Sequence, residues 1–303
     1  MKKSLEAIIG PLTSSEFIVS YKSNTPVVVH NIGDNIKELC ELPFLRSFES
    51  MFNFWPKIVV AYLSGLADEV NSKEVSVIES MELFKQGRSL LFNDANDVSP
   101  VIGKWVESIR RDLGLSRLTY GRSLIYATPA GCGTDAHFDQ NTNFVVQIHG
   151  QKKWWIAPNT SVENPLTRHV IGVPADPELA SYAGEQMPSE FPENATEYTL
   201  APGSMLFVPR GAWHKTSATT DSLSLNLTYT APTWIDILTT AMRGRLAMSS
   251  EWRQTADFVT DENLCGEALD NFDMLLSQLA FEIPEWCAAH ILDATEMDQL
   301  PSN

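Results

Sequence analysis

Basic residues are scarce in this chain. Its 303 residues include 22 lysines and arginines against 38 aspartates and glutamates, a formal net charge of −16. A phosphate-backbone binder needs clustered cations, so the charge balance argues against nucleic acid and against an anionic membrane surface as partners. Long apolar runs are missing too. No stretch reaches the roughly 18 uncharged apolar residues of a membrane span. Glu6, Gly10 and Pro11 interrupt the first residues before an apolar signal core could form, so no signal peptide is expected. The cysteines (Cys40, Cys132, Cys265 and Cys287) lie far apart and form no CxxC pair. Free thiols in a reducing cytoplasm are the expectation. Internal repeats and low-complexity tracts are absent, as is any Ser/His/Asp or Cys/His arrangement for nucleophilic catalysis.

Apolar residues make up 44% and charged residues 20% of the chain, the balance of a globular protein with a sizeable core. The length suits one large domain with an appendage, or two modest domains. Residues 1–87 read as mixed, with a strand at Pro26–His30 and helical stretches near 35–50 and 77–86. From Ser89 to Tyr229 short β-rich runs alternate with Gly, Pro and Asn. Examples are SLLF, SLIYAT, NFVVQI, KWWIAP, HVIGV, EYTL, SMLFVP and SLSLNLTY. One helix, Val101–Leu113, interrupts them between Pro100 and Gly114. Many short strands with turn signals indicate a mainly β sandwich or barrel, of which the cupin jelly roll is one form. After Pro232 the spacing turns helical, with Trp234, Ile237, Leu238 and Met242 on one face. The expected partition is a lead-in over 1–87, a jelly-roll core over 88–232 and a helical segment over 233–303. The acidic residues Asp261, Glu262, Glu267, Asp270 and Asp273 read as solvated helix faces.

The chemistry is concentrated in His137-Phe138-Asp139, followed 75 residues after the aspartate by His214. Successive strand residues point to opposite faces, so His137 and Asp139 can reach one ion while Phe138 packs on the other side. Two imidazoles and one carboxylate on one face of an iron leave three positions open.

The stretch TDAHFDQNTNFVVQIHGQKKWWIAP and the later APGSMLFVPRGAWHKTSATTDSLSLNLTY resemble the two halves of the iron-binding core of JmjC-type, cupin-fold 2-oxoglutarate oxygenases. The likeness is greatest to their asparaginyl-hydroxylase branch. LFKQGRSLLF and YATPAG resemble the same region of the bacterial ribosomal-protein oxygenases. The resemblance covers about residues 80–232 well, the N-terminal third loosely and the C-terminal helices weakly. It implies a double-stranded β-helix with flanking N-terminal and C-terminal helices.

The resemblance also implies roles for particular residues. His137, Asp139 and His214 match the metal triad for Fe(II). An aspartate at that position implies hydroxylation, because related halogenases carry a small residue there. Lys152, 15 residues after His137, matches the basic residue that binds the distal carboxylate of 2-oxoglutarate. Strand parity separates it from Lys153: if Trp154 and Ile156 face inward, so does Lys152. Thr134 matches a hydroxyl donor to the same carboxylate, and Asn143 and Asn226 match two amides near its metal-side end. One departure stands out. The tyrosine that supports the distal carboxylate in the asparaginyl hydroxylase falls where this chain has Leu90-Leu91-Phe92, with Tyr126 as a substitute.

The remaining histidines, His30, His149, His169 and His290, read as structural or solvated. Trp154, Trp155 and Trp213 read as core. The implied activity is hydroxylation of a protein or peptide side chain, using O2 and converting 2-oxoglutarate to succinate and CO2. A tailoring oxygenase for a small molecule or peptide natural product is an alternative, and a non-catalytic cupin binding module is another. Methyl-lysine demethylation is less consistent, since no reader domain or basic-tail groove can be identified. The apolar positions after Pro232 are too numerous for helices exposed all round, so they must bury against the jelly roll or a second copy. A homodimer through residues 233–303 is the expectation.

Overall fold

Strict alternation fixes how the last strand of the core must face. In Ser222–Thr230 the odd positions are Leu223, Leu225, Leu227 and Tyr229, and the even ones include Ser224, Asn226 and Thr228. One side can bury in an apolar core while the other lines a polar space. A computed structural model describes residues 4–63, 66–67 and 71–297. They divide into two compact units, one formed by residues through 115 together with 120–230, the other by 116–119 together with residues from 231 onward.

In chain order the strands of the first unit begin with β1 (Val27–Val29), β2 (Val59–Tyr62), β3 (Leu66–Ala67), β4 (Ser72–Val75) and β5 (Leu90–Phe92). There follow β6 (Tyr120–Thr128), β7 (Gly133–Phe138), β8 (Thr142–His149), β9 (Lys152–Ala157) and β10 (His169–Val170). The last four are β11 (Thr196–Leu200), β12 (Met205–Val208), β13 (Trp213–Ala218) and β14 (Ser222–Thr230). The larger sheet has eight strands in the order β1-β12-β8-β14-β6-β5-β2-β4. The smaller runs β10-β7-β13-β9-β11, with β3 pairing β7 in parallel. The double-stranded β-helix expected from the sequence is present.

The outer face of the larger sheet carries the main core. Leu223, Leu225, Leu227 and Tyr229 of β14, Phe144 and Val146 of β8, and Ile125 and Ala127 of β6 pack there with the N-terminal helices. The helix Pro100–Asp112 presents Ile102, Trp105, Val106 and Ile109 to this core, a spacing that makes one apolar stripe. Each such burial contributes about 2 kcal/mol. Ser99 caps the helix by accepting from the Ile102 N–H, and Pro100 fills the first turn, where no N–H is needed. The Tyr229 hydroxyl donates to the Val106 carbonyl at 3.0 Å, which ties β14 to that helix and satisfies the phenol in the core. Between the sheets lies a second cluster, with Val145, Trp154, Ile156, Leu200, Leu206 and Val208 as members.

The strand runs singled out in the sequence all appear, and the helix expected at Val101–Leu113 occupies Pro100–Asp112. The N-terminal third does more than lead in. Its β1 pairs β12 at one side of the larger sheet, and β2 pairs both β4 and β5 at the other. These strands are three or four residues long and are recruited by partners distant in sequence, so local pattern does not announce them.

In the second unit, Trp234–Leu246 begins with a capping box between Thr233 and Asp236, followed by helices Cys265–Glu282 and Ala288–Met297. Ile237 and Leu275 are buried there, whereas Trp234, Leu238 and Leu276 are exposed. No helix among the described residues is long and apolar enough to cross a membrane, and all four cysteines are free thiols.

Candidate metal centre

A β-bulge sets the inner face of β7. Opposite β13, His137 pairs with His214 and Thr134 with Thr216, so two residues between them on β7 face the single Lys215 on β13. The extra residue lets Thr134 and His137, three apart, face the same way. Gly133 permits the close approach: a Cβ there would stand 1.8 Å from the Thr216 carbonyl oxygen.

His137, Asp139 and His214 each present one ligand atom, and these atoms all lie within 4.8 Å of one another. Asp139 Oδ2 is 3.9 Å from His137 Nε2 and 3.7 Å from His214 Nε2. His137 Nδ1 lies 2.6 Å from the Asp135 carbonyl, and His214 Nδ1 lies 2.9 Å from the Ala212 carbonyl. A carbonyl only accepts, so both Nδ1 atoms carry the proton and both Nε2 lone pairs point toward the carboxylate oxygen. Burial, helped by the neighbouring His214, pushes His137 down to about 3, so its ring is neutral and ready to ligate. Burial alone would raise the Asp139 carboxyl, but its neighbours His137, His214 and the Arg168 guanidinium outweigh it and hold Asp139 below its usual range. An anionic oxygen with two imidazole nitrogens suits a divalent first-row metal such as iron.

All seven residues singled out in the sequence line one cavity of about 510 Å³: Thr134, His137, Asp139, Asn143, Lys152, His214 and Asn226. Lys152 is buried beside Trp154 and Ile156, while Lys153 points outward to an ion pair with Glu197 at 2.7 Å. The Lys152 ammonium donates to Thr128 Oγ1 at 3.1 Å and lies 5.7 and 5.8 Å from the rings of Tyr126 and Trp154. Burial pushes it down to about 8, and among the described residues it has no ion-pair partner. Thr134 Oγ1 shares a hydrogen bond with Thr216 Oγ1 at 2.9 Å. Asn143 Oδ1 accepts from the Thr228 hydroxyl at 2.7 Å. Among the described residues, Trp154 Nε1 and Asn226 Oδ1 are buried in the cavity wall without a hydrogen-bond partner. Such orphans cost about 1–3 kcal/mol each, and an anion that accepts from Trp154 and from the Asn226 amide, turned to present its NH2, would relieve both.

Several lining residues escape the sequence reading. Trp154 belongs to the inner core, as expected, but it also stacks on His214, with ring centroids 5.8 Å apart and planes at 23°. Arg122 and Arg168 both line the cavity, and Arg168 Nε lies 3.4 Å from Asp139 Oδ1. Strand parity could have pointed to Arg168, because His169 beside it was already assigned to a strand. Trp213 is fully buried behind the site, edge-on to Phe138 at 4.7 Å. His30 contacts Ser204, and His149 donates to the Leu45 carbonyl, both structural contacts. His169 packs against Phe138 and Trp213, and His290 is exposed.

A family profile described as the JmjC domain matches residues 106–237. The uncharacterized protein YxbC of Bacillus subtilis (strain 168) is 31% identical over 258 residues, covering 83% of this chain and 78% of its own length. Ribosomal oxygenase 1 of Rattus norvegicus is 23% identical over 265 residues, covering 84% of this chain. The chain spans only 41% of that longer rat protein. Among solved structures, YcfD, a ribosomal oxygenase from Escherichia coli in complex with cobalt and succinic acid, aligns with a TM-score of 0.51. That alignment covers 89% of this chain and 67% of the other at 15% identity, a likeness of fold. The profile encloses all seven cavity residues and the strands that carry them, and the Bacillus relative extends the similarity over most of both chains, so this chain belongs to the JmjC-domain family.

Proposed function

We propose that the chain is an Fe(II)- and 2-oxoglutarate-dependent dioxygenase that hydroxylates a side chain of a protein or peptide, converting 2-oxoglutarate and O2 to succinate and CO2. The observation that carries this reading is a buried ammonium that forms no ion pair among the described residues, in the same cavity as a His-Asp-His cluster. A buried cation is costly unless a counter-charge meets it, and a dicarboxylate can meet Lys152 with one end and a metal with the other. In this reading His137, Asp139 and His214 hold Fe(II), and Lys152 with Thr134 binds the distal carboxylate. Asn143 and Asn226 orient the metal-side end. When bound, the iron supplies the oxidation chemistry, and the protein supplies coordination geometry and the aim of the substrate carbon. The two imidazoles need lose no proton to ligate, because their Nδ1–H groups are already committed to carbonyls.

The cobalt and succinic acid in the Escherichia coli structure support this cofactor set. The name ribosomal oxygenase on that protein and on the rat relative supports a protein substrate. A cytoplasmic location and a homodimer through residues 233–303 complete the proposal. The test is succinate formation from 2-oxoglutarate with Fe(II), screened against a peptide library and host lysate by mass spectrometry. Iron-dependent succinate and a peptide or protein heavier by one oxygen are expected. No succinate under any condition would overturn the oxygenase reading, and product only from a small molecule would overturn the protein substrate.

A further inference from the structure

β10 runs antiparallel to β7, with His169 opposite Phe138 and Val170 opposite His137. Arg168 and Asp139 are the next residues beyond the end of this ladder, and their side chains meet. His169 and Phe138 turn outward and pack together with ring centroids 5.7 Å apart. By strand parity their neighbours, Arg168 and Asp139, turn inward. The two oxygens of Asp139 are thereby divided: Oδ2 faces both imidazoles, and Oδ1 faces Arg168 Nε at 3.4 Å. The pair sits at the cavity wall, with each side chain only about a quarter exposed or less.

We infer that Arg168 is a positioning residue that holds the outer oxygen of Asp139, so that the carboxylate offers the metal one oxygen and not two. This rests on the oxygenase reading. A six-coordinate iron has three positions left after His137, Asp139 and His214, and they are needed by the two donor atoms of 2-oxoglutarate and by O2. A carboxylate free to turn could chelate through both oxygens and take a fourth position. A charge-assisted bond to a planar guanidinium opposes that rotation, because Arg168 competes for Oδ1. The arginine stands 29 residues beyond the aspartate in sequence and reaches it only because the short β10 pairs with β7.

The test uses the full chain loaded anaerobically with Fe(II) and 2-oxoglutarate, with nitric oxide as the probe of the open position, read by electron paramagnetic resonance. In Arg168→Gln, nitric oxide affinity should fall about 10-fold, the order lost with one hydrogen bond to a charged group. Binding of Fe(II) and of 2-oxoglutarate should change much less. Arg168→Lys, which keeps a donor cation, should recover part of the loss. Unchanged nitric oxide affinity in Arg168→Gln would overturn the inference, as would loss of Fe(II) binding itself, since the residue would then secure the ligand and not its mode. Wild-type protein that fails to bind Fe(II) with 2-oxoglutarate would instead sink the oxygenase reading.

Discussion

Lys152 donates to the Thr128 hydroxyl at 3.1 Å from within a cage of Tyr126 and Trp154. Neither the hydroxyl nor the rings carry a negative charge, so the ammonium can attract an anion deep in the cavity. Removing it should raise the 2-oxoglutarate requirement. A hydrogen bond to a charged group contributes roughly 1.5–3 kcal/mol, which corresponds to a 10- to 100-fold weaker KM for Lys152→Ala. Lys153→Ala should leave KM unchanged, because that side chain pairs outward with Glu197. Steady-state succinate assays on the two variants decide it, and a reversal of their order would refute the assignment.

The same lysine predicts a pH dependence. Burial lowers its folded value from 10.5 to about 8. Below about pH 8 the ammonium is charged and 2-oxoglutarate affinity is steady; above it the charge is lost and affinity falls. The effect on stability has the opposite sense. Between about 8 and 10.5 the unfolded chain keeps the proton that the folded chain releases, so ligand-free stability rises with pH across that window. Thermal melts of wild type and Lys152→Met over the same range measure the difference, which should be flat if the lysine is not responsible.

How much of this was legible in the sequence depends on whether one strand sufficed. The faces of β14 follow from its alternation, and the inward turn of Lys152 follows from its neighbours Trp154 and Ile156. Thr134 was legible only by resemblance, since a regular strand would turn it away from His137; the bulge opposite Thr216 brings both to one face. Arg168 was legible only as the neighbour of the strand residue His169; its contact with Asp139 needs the pairing of β10 with β7, with β8 and β9 between them in the chain. The strands β2 and β4 were missed for a related reason: each is four residues long and is held by its sheet neighbours more than by local propensity.

Single replacement of His137, Asp139 or His214 by alanine should abolish iron-dependent succinate formation. The three side chains line a cavity and are not part of the main apolar core, so thermal stability without metal should change little. A chelator should inactivate wild type, and added Fe(II) should restore it. Near-wild-type turnover by any one variant would show that the triad is misassigned.

Gly133→Ala tests the close approach under the site. A Cβ would lie 1.8 Å from the Thr216 carbonyl oxygen and 2.6 Å from its carbon, so β7 and β13 would have to separate. Overpacking of this kind typically costs about 1–3 kcal/mol. Because Thr134 and His137 ride on the displaced strand, the metal affinity of the folded fraction should also drop. Calorimetry with Co(II), alongside thermal unfolding, reads both effects; a variant with unchanged stability and metal binding would contradict the geometry.

The second unit bears on assembly. Trp234 is 76% exposed and Phe281 85% exposed, and Leu238, Leu269 and Phe272 are exposed as well. Scattered apolar residues are ordinary on a surface, but several large ones on two helices are what the proposed dimer would need to cover. A two-fold dimer would cover them without requiring any other partner. Light scattering at micromolar concentration should therefore give twice the 33.7 kDa of one chain. Trp234→Lys together with Phe281→Lys should shift that mass toward a single chain while leaving 2-oxoglutarate turnover in place, since neither residue lines the cavity. A wild-type mass of one chain would sink the dimer, and an unchanged dimer in the double variant would move the interface away from these helices.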